Sequence, residues 1–291
     1  MTVASILAVA CRRYGFDSDA AEVIRMGENA LYRCPGGVVV RIARAGQQAS
    51  AAREIRVARW LASHGIPAVE ALEVDQPLVV EDRPVTFWRE LPAHRAGTPV
   101  EIAVLMRRLH DLPVPRDEGF GVLAPFVRLT ERLSAATVID ADDRGWLLDR
   151  LAHLTAQWEA GLPAGLPEAA VHGDLYGGNV AVDATGVGRL LDLERFAVGP
   201  PEWDLVSTAI GYTSLRQISA ADYGAFVAAY GTDVTAWSGY ALLRDIRELR
   251  MTSYVIQLAS ENSVYTREAR WRVDCLRGRN GPRPWTWTPC P

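Results

Sequence analysis

The sequence predicts an α+β fold with two lobes, and two observations lead to that prediction. Runs with the composition and alternation of β-strands crowd the first 90 residues, whereas apolar residues at helical spacing fill most of the remainder. We therefore expect a small, mainly antiparallel β lobe with one key helix over residues 1–91, and a larger, mainly helical lobe over residues 92–291. A chain of 291 residues is long enough to bury a sizeable core.

The predicted elements of the first lobe are short. A helix over residues 3–14 precedes a series of strand-like runs, and a longer helix over residues 49–63 interrupts them. Gly65 and Pro67 mark the end of that longer helix, because glycine favours the position after a helix and proline cannot continue one. The strand-like runs are residues 31–34, 38–43, 69–74, 78–81 and 85–90.

Helices dominate the prediction for the second lobe. Ile102, Leu105, Met106 and Leu109 recur at the spacing of one helical face. The tryptophan-rich segment at residues 282–289 is expected to pack over this lobe by its indole rings. The predicted helices are residues 100–110, 142–158, 215–230 and 241–260.

One motif in the second lobe has the residue types and spacing of a catalytic site. His172, Gly173 and Asp174 are followed five residues after the aspartate by Asn179, and later by Asp192. Phosphoryl transfer uses such a set, in which one aspartate accepts the proton of a substrate hydroxyl and an asparagine and a second aspartate hold metal ions. Glycine, asparagine and aspartate are common in ordinary turns, but an ordinary turn does not require this joint spacing.

The segment from residue 172 to residue 204 resembles the aminoglycoside phosphotransferase family, relatives of protein kinases that phosphorylate small molecules. The resemblance extends over roughly residues 25–211 and implies a protein-kinase-like fold, with a helix beneath the motif. It also implies Asp174 as the catalytic base, Asn179 and Asp192 as Mg²⁺ ligands, and a structural role for the histidine of the motif. Asparagine and aspartate oxygens suit Mg²⁺, a hard cation.

The basic residues exclude several mechanisms. All 31 of them are arginine, and the chain has no lysine. A Walker-type phosphate-binding loop requires a lysine, as does an enzyme that forms a Schiff base with pyridoxal phosphate. These classes are therefore excluded.

The lysine that protein kinases carry on their third strand is replaced here by Arg41. It lies in an apolar run at residues 37–42, and Glu54 follows it by 13 residues on the predicted helix. We expect Arg41 and Glu54 to form the ion pair that positions ATP phosphates, with GTP as an alternative nucleotide, because a guanidinium grips phosphate differently from an ammonium. Because side chains alternate between the two faces of a strand, Val39 should lie on the same face as Arg41, where it would cover the adenine. The alternative is that Arg41 is a surface cation.

Two further segments are expected near the nucleotide. Residues 88–92 are predicted to link the two lobes, where Glu90 and Leu91 would offer backbone groups to the adenine edge. Residues 27–32 stand where protein kinases have a glycine-rich loop, but they contain one glycine, so we expect a turn near the phosphates. A plain loop is the alternative for the first segment.

The predicted function is ATP-dependent transfer of the γ-phosphoryl group to a hydroxyl of a small molecule. An aminoglycoside or another hydroxylated antibiotic is the first expectation, with antibiotic resistance as the result. A metabolite kinase for a sugar, an amino alcohol or a nucleoside is one alternative, and a non-catalytic pseudokinase that binds nucleotide is another. Carboxylates late in the chain could bind a polyamine acceptor, but no motif places them; they are Glu202, Asp222, Asp245, Glu248 and Glu261. If Arg244, Arg247 and Arg250 face inward, the acceptor would instead be neutral or carry a carboxylate.

Composition limits which binding partners and which cellular compartment we expect for the protein. The formal net charge of −4 argues against a nucleic-acid partner, and no apolar run approaches the roughly 20 residues that span a bilayer. The four cysteines are scattered without a Cys-x-x-Cys pair, so we expect reduced thiols and no zinc site. We expect a cytoplasmic enzyme, monomeric or weakly dimeric.

Overall fold

The computed structural model describes residues 1–27 and 29–290, and its α+β architecture confirms the predicted fold class. Among these residues no helix combines the length and the apolar character that a membrane crossing requires. The helices are α1 (Val3–Tyr14), α2 (Gln48–Ser63), α3 (Pro99–His110), α4 (Leu129–Ser134), α5 (Ala141–Glu159), α6 (Glu202–Thr213), α7 (Ala220–Tyr230), α8 (Tyr240–Glu261) and α9 (Thr266–Leu276). The strands are β1 (Glu22–Met26), β2 (Ala30–Cys34), β3 (Val38–Ile42), β4 (Leu78–Val80), β5 (Arg83–Arg89), β6 (His94–Ala96), β7 (Ala169–Val171), β8 (Val180–Asp183), β9 (Gly188–Leu190) and β10 (Ala197–Gly199).

The chain divides into two compact units, each made of two segments. The first unit contains Met1–Phe120 and Tyr176–Phe196, and the second contains Gly121–Leu175 and the described residues from Ala197 onward. The division falls inside the predicted catalytic motif, between Leu175 and Tyr176. The lobe boundary expected at residue 91 stays a prediction.

A five-stranded antiparallel sheet organises the first unit, in the order β1-β2-β3-β5-β4. Its core contains Ile6 and Cys11 of α1 together with Val40 and Phe87 of the sheet. Because successive side chains of a strand point to opposite faces, burial of Val40 against this core turns Arg41 to the other face. The sheet therefore separates an apolar core from a face that carries charge.

A second, three-stranded sheet of the first unit has the order β6-β8-β9. A short 3-10 turn at Gly177–Asn179 leads directly into β8, and β9 ends two residues before Asp192. Strand β8 follows Asn179 directly, and strand β9 precedes Asp192. They fix the backbone on one side of each residue.

The second unit combines a two-stranded ladder of β7 and β10 with helices α4 to α9. The C-terminal segment packs on this unit, as the sequence predicts: Trp285 and Trp287 are buried and stacked, with ring centroids 5.8 Å apart. The backbone N–H of Trp285 donates to the carbonyl of Ser214 at 2.7 Å. This bond ties the segment to the end of α6.

Some predicted elements are wrong. Residues 69–74 form no strand; the N–H groups of Val69 and Leu72 donate to carbonyls of different elements, so no continuous ladder forms. The helix expected to begin at residue 215 begins at Ala220, because the Ser219 side chain caps it. The structure contains helix α9, which was not predicted. Arg272 occupies one of the buried positions of this helix and interrupts its apolar pattern.

Candidate active site

The predicted catalytic loop is held by a buried carboxylate of the second unit. The backbone N–H groups of His172 and Gly173 donate to the two carboxylate oxygens of Asp204, at 2.7 and 2.9 Å. Asp204 lies on α6 and is fully buried, so these charge-assisted bonds are shielded from water. Gly173 has a φ of +84°, a conformation that disfavours side chains, which explains a glycine here.

A tryptophan and an arginine hold the other side of the loop. The indole N–H of Trp203 donates to the Gly173 carbonyl at 2.8 Å, and Arg247 Nη2 donates to the same carbonyl at 3.1 Å. Arg247 Nη1 donates to Asp174 Oδ1 at 3.0 Å. The guanidinium lies 4.3 Å from the centre of the Trp203 ring, within the range of a cation–π contact. Arg247 is therefore bonded to both the loop backbone and the predicted base.

Asp174 stands at the exposed end of this arrangement. Its side chain is 43% exposed, whereas that of Arg247 is 6% exposed. Its backbone N–H donates to Nδ1 of the buried His172 at 3.3 Å, which requires the proton of the neutral imidazole to be on Nε2. This fits the supporting role expected of the histidine. The arrangement presents a carboxylate to solvent on a fixed backbone.

The first unit contains the predicted ion pair. Arg41 Nη1 donates to both carboxylate oxygens of Glu54, at 2.7 and 2.6 Å, and Glu54 is 5% exposed. Burial lowers the pKa of Arg41, but the charges of Glu54, Asp192 and Glu194 outweigh it and hold the pKa above its ordinary value. The cation thus lies among three carboxylates. Arg41 is not a surface cation.

Asn29 also contacts Arg41. With the amide oriented so that its oxygen faces the guanidinium, Asn29 accepts from Nη2 and Nε at 2.8 and 3.2 Å. Asn29 belongs to the predicted turn at residues 27–32, of which Glu28 lies outside the described residues. Val39 is half-buried and shares the sheet face of Arg41, as the alternation predicts.

The two predicted metal ligands lie in the same unit as Arg41. The backbone N–H of Leu191 donates to the backbone carbonyl of Asn179 at 2.9 Å, which connects the segments that carry Asn179 and Asp192. Asp192 has a positive φ of 51°. Arg53 of α2 donates to the carbonyls of Glu194 and Phe196 and so anchors the chain beyond it. The donor set, an amide and a carboxylate oxygen, fits the oxygen preference of Mg²⁺.

Glu90 and Leu91 follow β5. The backbone N–H of Glu90 donates to the Gly37 carbonyl at 2.7 Å, and its side chain accepts from Arg33 Nε at 2.5 Å. The N–H of Glu90 is thus used within the sheet. A contact with the adenine edge at Glu90 would have to use its carbonyl.

The structure therefore gathers the predicted residues into two groups. Arg41, Glu54 and Asp192 interact within the first unit, and Asn179 belongs to it as well; Asp174 is held in the second. Sequence reasoning missed the role of Arg247, although it singled out this arginine as a contact for the acceptor. Of the carboxylates considered for the acceptor, Asp245 and Glu248 are paired with Arg283.

A comparison with protein families identifies the class. Residues 26–243 match the model of APH, the phosphotransferase enzyme family. Since the match spans most of the chain, the protein belongs to this family. The assignment confirms the predicted resemblance and the predicted enzyme class, a kinase or phosphotransferase that acts on a hydroxyl group.

Solved structures share the fold. The amicoumacin kinase hAmiN, in complex with AMP-PNP, Ca²⁺ and Ami, matches with a TM-score of 0.70 at 15% identity, covering 98% of this chain and 96% of that one. The GDP and kanamycin complex of APH(2")-IIia matches with a TM-score of 0.66 at 14% identity, covering 95% and 99%. A choline/ethanolamine kinase family protein from Mesorhizobium loti matches with a TM-score of 0.60 at 19% identity, covering 94% and 92%. These matches confirm the protein-kinase-like fold.

Proposed function

We propose that this protein transfers the γ-phosphoryl group of ATP to a hydroxyl of an aminoglycoside or another hydroxylated antibiotic, and thereby confers resistance. The observation that carries the proposal is the convergence of Arg41, Glu54 and Asp192. A partly buried cation that is paired with a helix glutamate and lies near an aspartate is the arrangement that phosphate positioning requires. A reaction that consumes ATP also favours a cytoplasmic location.

Asp174 is the proposed catalytic base. It takes the proton of the acceptor hydroxyl as the hydroxyl oxygen bonds to the γ-phosphorus and ADP leaves. Arg247 holds one oxygen of this carboxylate, and Asp204 holds the backbone that precedes it. Little covalent chemistry remains for the protein, so correct positioning is its main contribution.

Asn179 and Asp192 are the proposed ligands of Mg²⁺. When bound, Mg²⁺ supplies neutralisation of the charge on the phosphates. The oxygen atoms of both side chains suit that ion, and the hydrogen bond between Leu191 and Asn179 supports their joint placement.

The proposed nucleotide contacts follow from the first unit. Arg41 would bind phosphate oxygens of the nucleotide, and Glu54 would orient the Arg41 guanidinium. Val39, Glu90 and Leu91 would contact the adenine ring. Because the N–H of Glu90 is already used, the base contact is expected at its carbonyl. ATP is the expected donor and GTP the alternative; the solved relatives include complexes with AMP-PNP and with GDP.

The acceptor class is supported by the relatives. An amicoumacin kinase and a kanamycin complex are among the solved structures that share the fold. An amino alcohol is the second candidate acceptor, because a choline/ethanolamine kinase family protein shares the fold as well.

The test is mass spectrometry of an acceptor panel after incubation with protein, Mg²⁺ and either ATP or GTP. The panel contains aminoglycosides, other hydroxylated antibiotics, amino alcohols, sugars and nucleosides. An added phosphate on an antibiotic is the expected result, and Asp174→Asn should abolish it while nucleotide binding persists. Asp149→Asn, an exposed change of the same chemistry on α5, should remain active. Product on metabolites alone would refute the antibiotic proposal.

Asp192→Ala tests the metal ligands separately. Wild-type protein is expected to bind ATP more tightly when Mg²⁺ is present, and the variant should lose that difference. Titration calorimetry with and without Mg²⁺ measures it. A variant with the wild-type Mg²⁺ dependence would show that the metal is held by other residues.

A further inference from the structure

A cavity of about 350 Å³ lies in the second unit, away from the loop that carries Asp174. It is found at the end of the β7–β10 ladder where Ala169 pairs with Gly199. The catalytic loop follows the opposite end, where Val171 pairs with Ala197. Pockets for small molecules typically measure about 300–1,000 Å³, so the cavity is large enough for a ligand.

The lining of the cavity contains both apolar and acidic side chains. Its walls are mainly apolar: they consist of leucine, valine and proline side chains, glycines and two indoles, Trp158 and Trp237. Two carboxylates also line it, Glu168 and Glu202, and none of the described residues that line it is basic. The lining thus combines apolar surface with negative charge.

Glu202 is the carboxylate on which the inference depends. It is 3% exposed, and its Oε1 accepts from the backbone N–H of Leu166 at 2.5 Å. Glu202 has no ion pair within the part of the chain that the structure describes. A buried carboxylate normally has a cationic partner, because a single amide donor offsets only part of the lost hydration. The missing partner would be a cation in the cavity.

Both indoles are fixed before any ligand arrives. The N–H of Trp237 donates to the Ala164 carbonyl at 2.9 Å. The ring of Trp158 makes edge contacts with Phe126 and Trp203, at centroid distances of 6.4 and 6.3 Å. Indole is the aromatic group that attracts cations most strongly, and fixed walls reduce the entropy lost on binding.

We infer that this cavity binds an organic ammonium ion with an apolar body. Glu202 would take the charge, and Trp158 and Trp237 would enclose the alkyl or aromatic part. The inference does not depend on the proposed function, because it involves neither nucleotide nor a hydroxyl group on the ligand.

Titration calorimetry with benzyltrimethylammonium tests the inference. This probe carries a permanent charge and an aromatic body, and it has no hydroxyl that could be phosphorylated. N,N-dimethylbenzamide is the neutral control of similar size. We expect saturable binding of the cation, and binding of the amide at least tenfold weaker.

Two variants test the role of Glu202. Glu202→Gln keeps an oxygen to accept from Leu166 but removes the charge, so the fold should persist and cation binding should weaken at least tenfold. In Gly165→Ala the added methyl would collide with Glu202 Oε1, so the carboxylate must move and binding should again weaken. Glu261→Gln, an exposed change outside the cavity, should bind as the wild type does.

The outcomes are distinct. Equal binding of the cation and the amide, unchanged binding in Glu202→Gln, or no binding of the cation up to millimolar concentration would each overturn the inference. Asp174→Asn should bind the probe as the wild type does. Loss of binding in that variant would assign the cation to the catalytic loop and would also overturn the inference.

Discussion

Replacing Arg247 with methionine would test whether Asp174, the proposed catalytic base, must be held in place for turnover. Methionine approximates the length and apolar stem of arginine, so little space opens in the core. The change removes the charge-assisted bond to Asp174 Oδ1, the bond to the Gly173 carbonyl and the contact with the Trp203 ring. Asp174 itself remains in the variant, and its reactivity should fall because it is no longer held.

The expected cost in stability follows from these contacts. Hydrogen bonds to charged groups contribute about 1.5–3 kcal/mol each, and a buried cation–π contact contributes about 2 kcal/mol. Water can replace Arg247 at the half-exposed Asp174, and Trp203 still donates to the Gly173 carbonyl. We therefore expect a net loss of about 2–4 kcal/mol in the free energy of unfolding.

Kinetics and thermal melting together give the assay. A base displaced by about 1 Å can cost roughly 100-fold in rate, so kcat should fall by about 10–100-fold while the KM for ATP changes little. Arg250→Met is the matched control, because Arg250 also lies over Trp203, at 5.7 Å, and donates to the Pro125 carbonyl. It should lower Tm yet keep kcat within about twofold. A folded Arg247→Met protein with wild-type kcat would refute the positioning role.

Three further predictions concern the first unit and the thiols. Arg41→Met should raise the KM for ATP more than Arg41→Lys does, because lysine keeps the charge; steady-state kinetics would show equal effects if charge did not matter. Hydrogen bonding from Arg95 lowers the pKa of Glu101 from 4.5 to about 2, so the stability that this carboxylate provides is present above pH 4.5 and is lost as the pH falls towards 2. The urea midpoint of Glu101→Gln should therefore fall less between pH 6 and pH 3 than that of the wild type, and parallel profiles would contradict this. Burial raises the pKa of Cys11 to about 12, so iodoacetamide at pH 8 should label the partly exposed Cys290 first, and peptide mapping that finds Cys11 labelled first would contradict it.

Local regularities allowed much of the first unit to be predicted. The alternation of β3 placed Val39 and Arg41 on one face, and the helix that follows brought Glu54 to Arg41. Both inferences depend on residues close in sequence, for which the periodicity of a strand and of a helix is sufficient. Residues 69–74 show the limit of this reasoning. Their composition suits a strand, but no strand in the part of the chain that the structure describes pairs with them along their length.

The contacts of Arg247 could not be predicted from any pattern. This residue is 73 positions from Asp174 in the chain, in a helix whose neighbouring arginines have other partners. It turns inward because Trp203 offers a ring face and a carbonyl, and the loop offers the Gly173 carbonyl. The spacing of the arginines within the helix does not indicate which of them meets the Trp203 ring or the loop.

The sequence by itself determined the enzyme class that could be predicted: the spacing of Asp174, Asn179 and Asp192 predicts a phosphotransferase, and the absence of lysine excludes several other mechanisms. Tertiary structure alone decided how Asp174 is held and where a carboxylate meets two indoles beside an apolar cavity. The physical reason is that a motif records which groups are near one another along the chain. A hydrogen bond or a cavity depends on groups that meet only when distant segments pack.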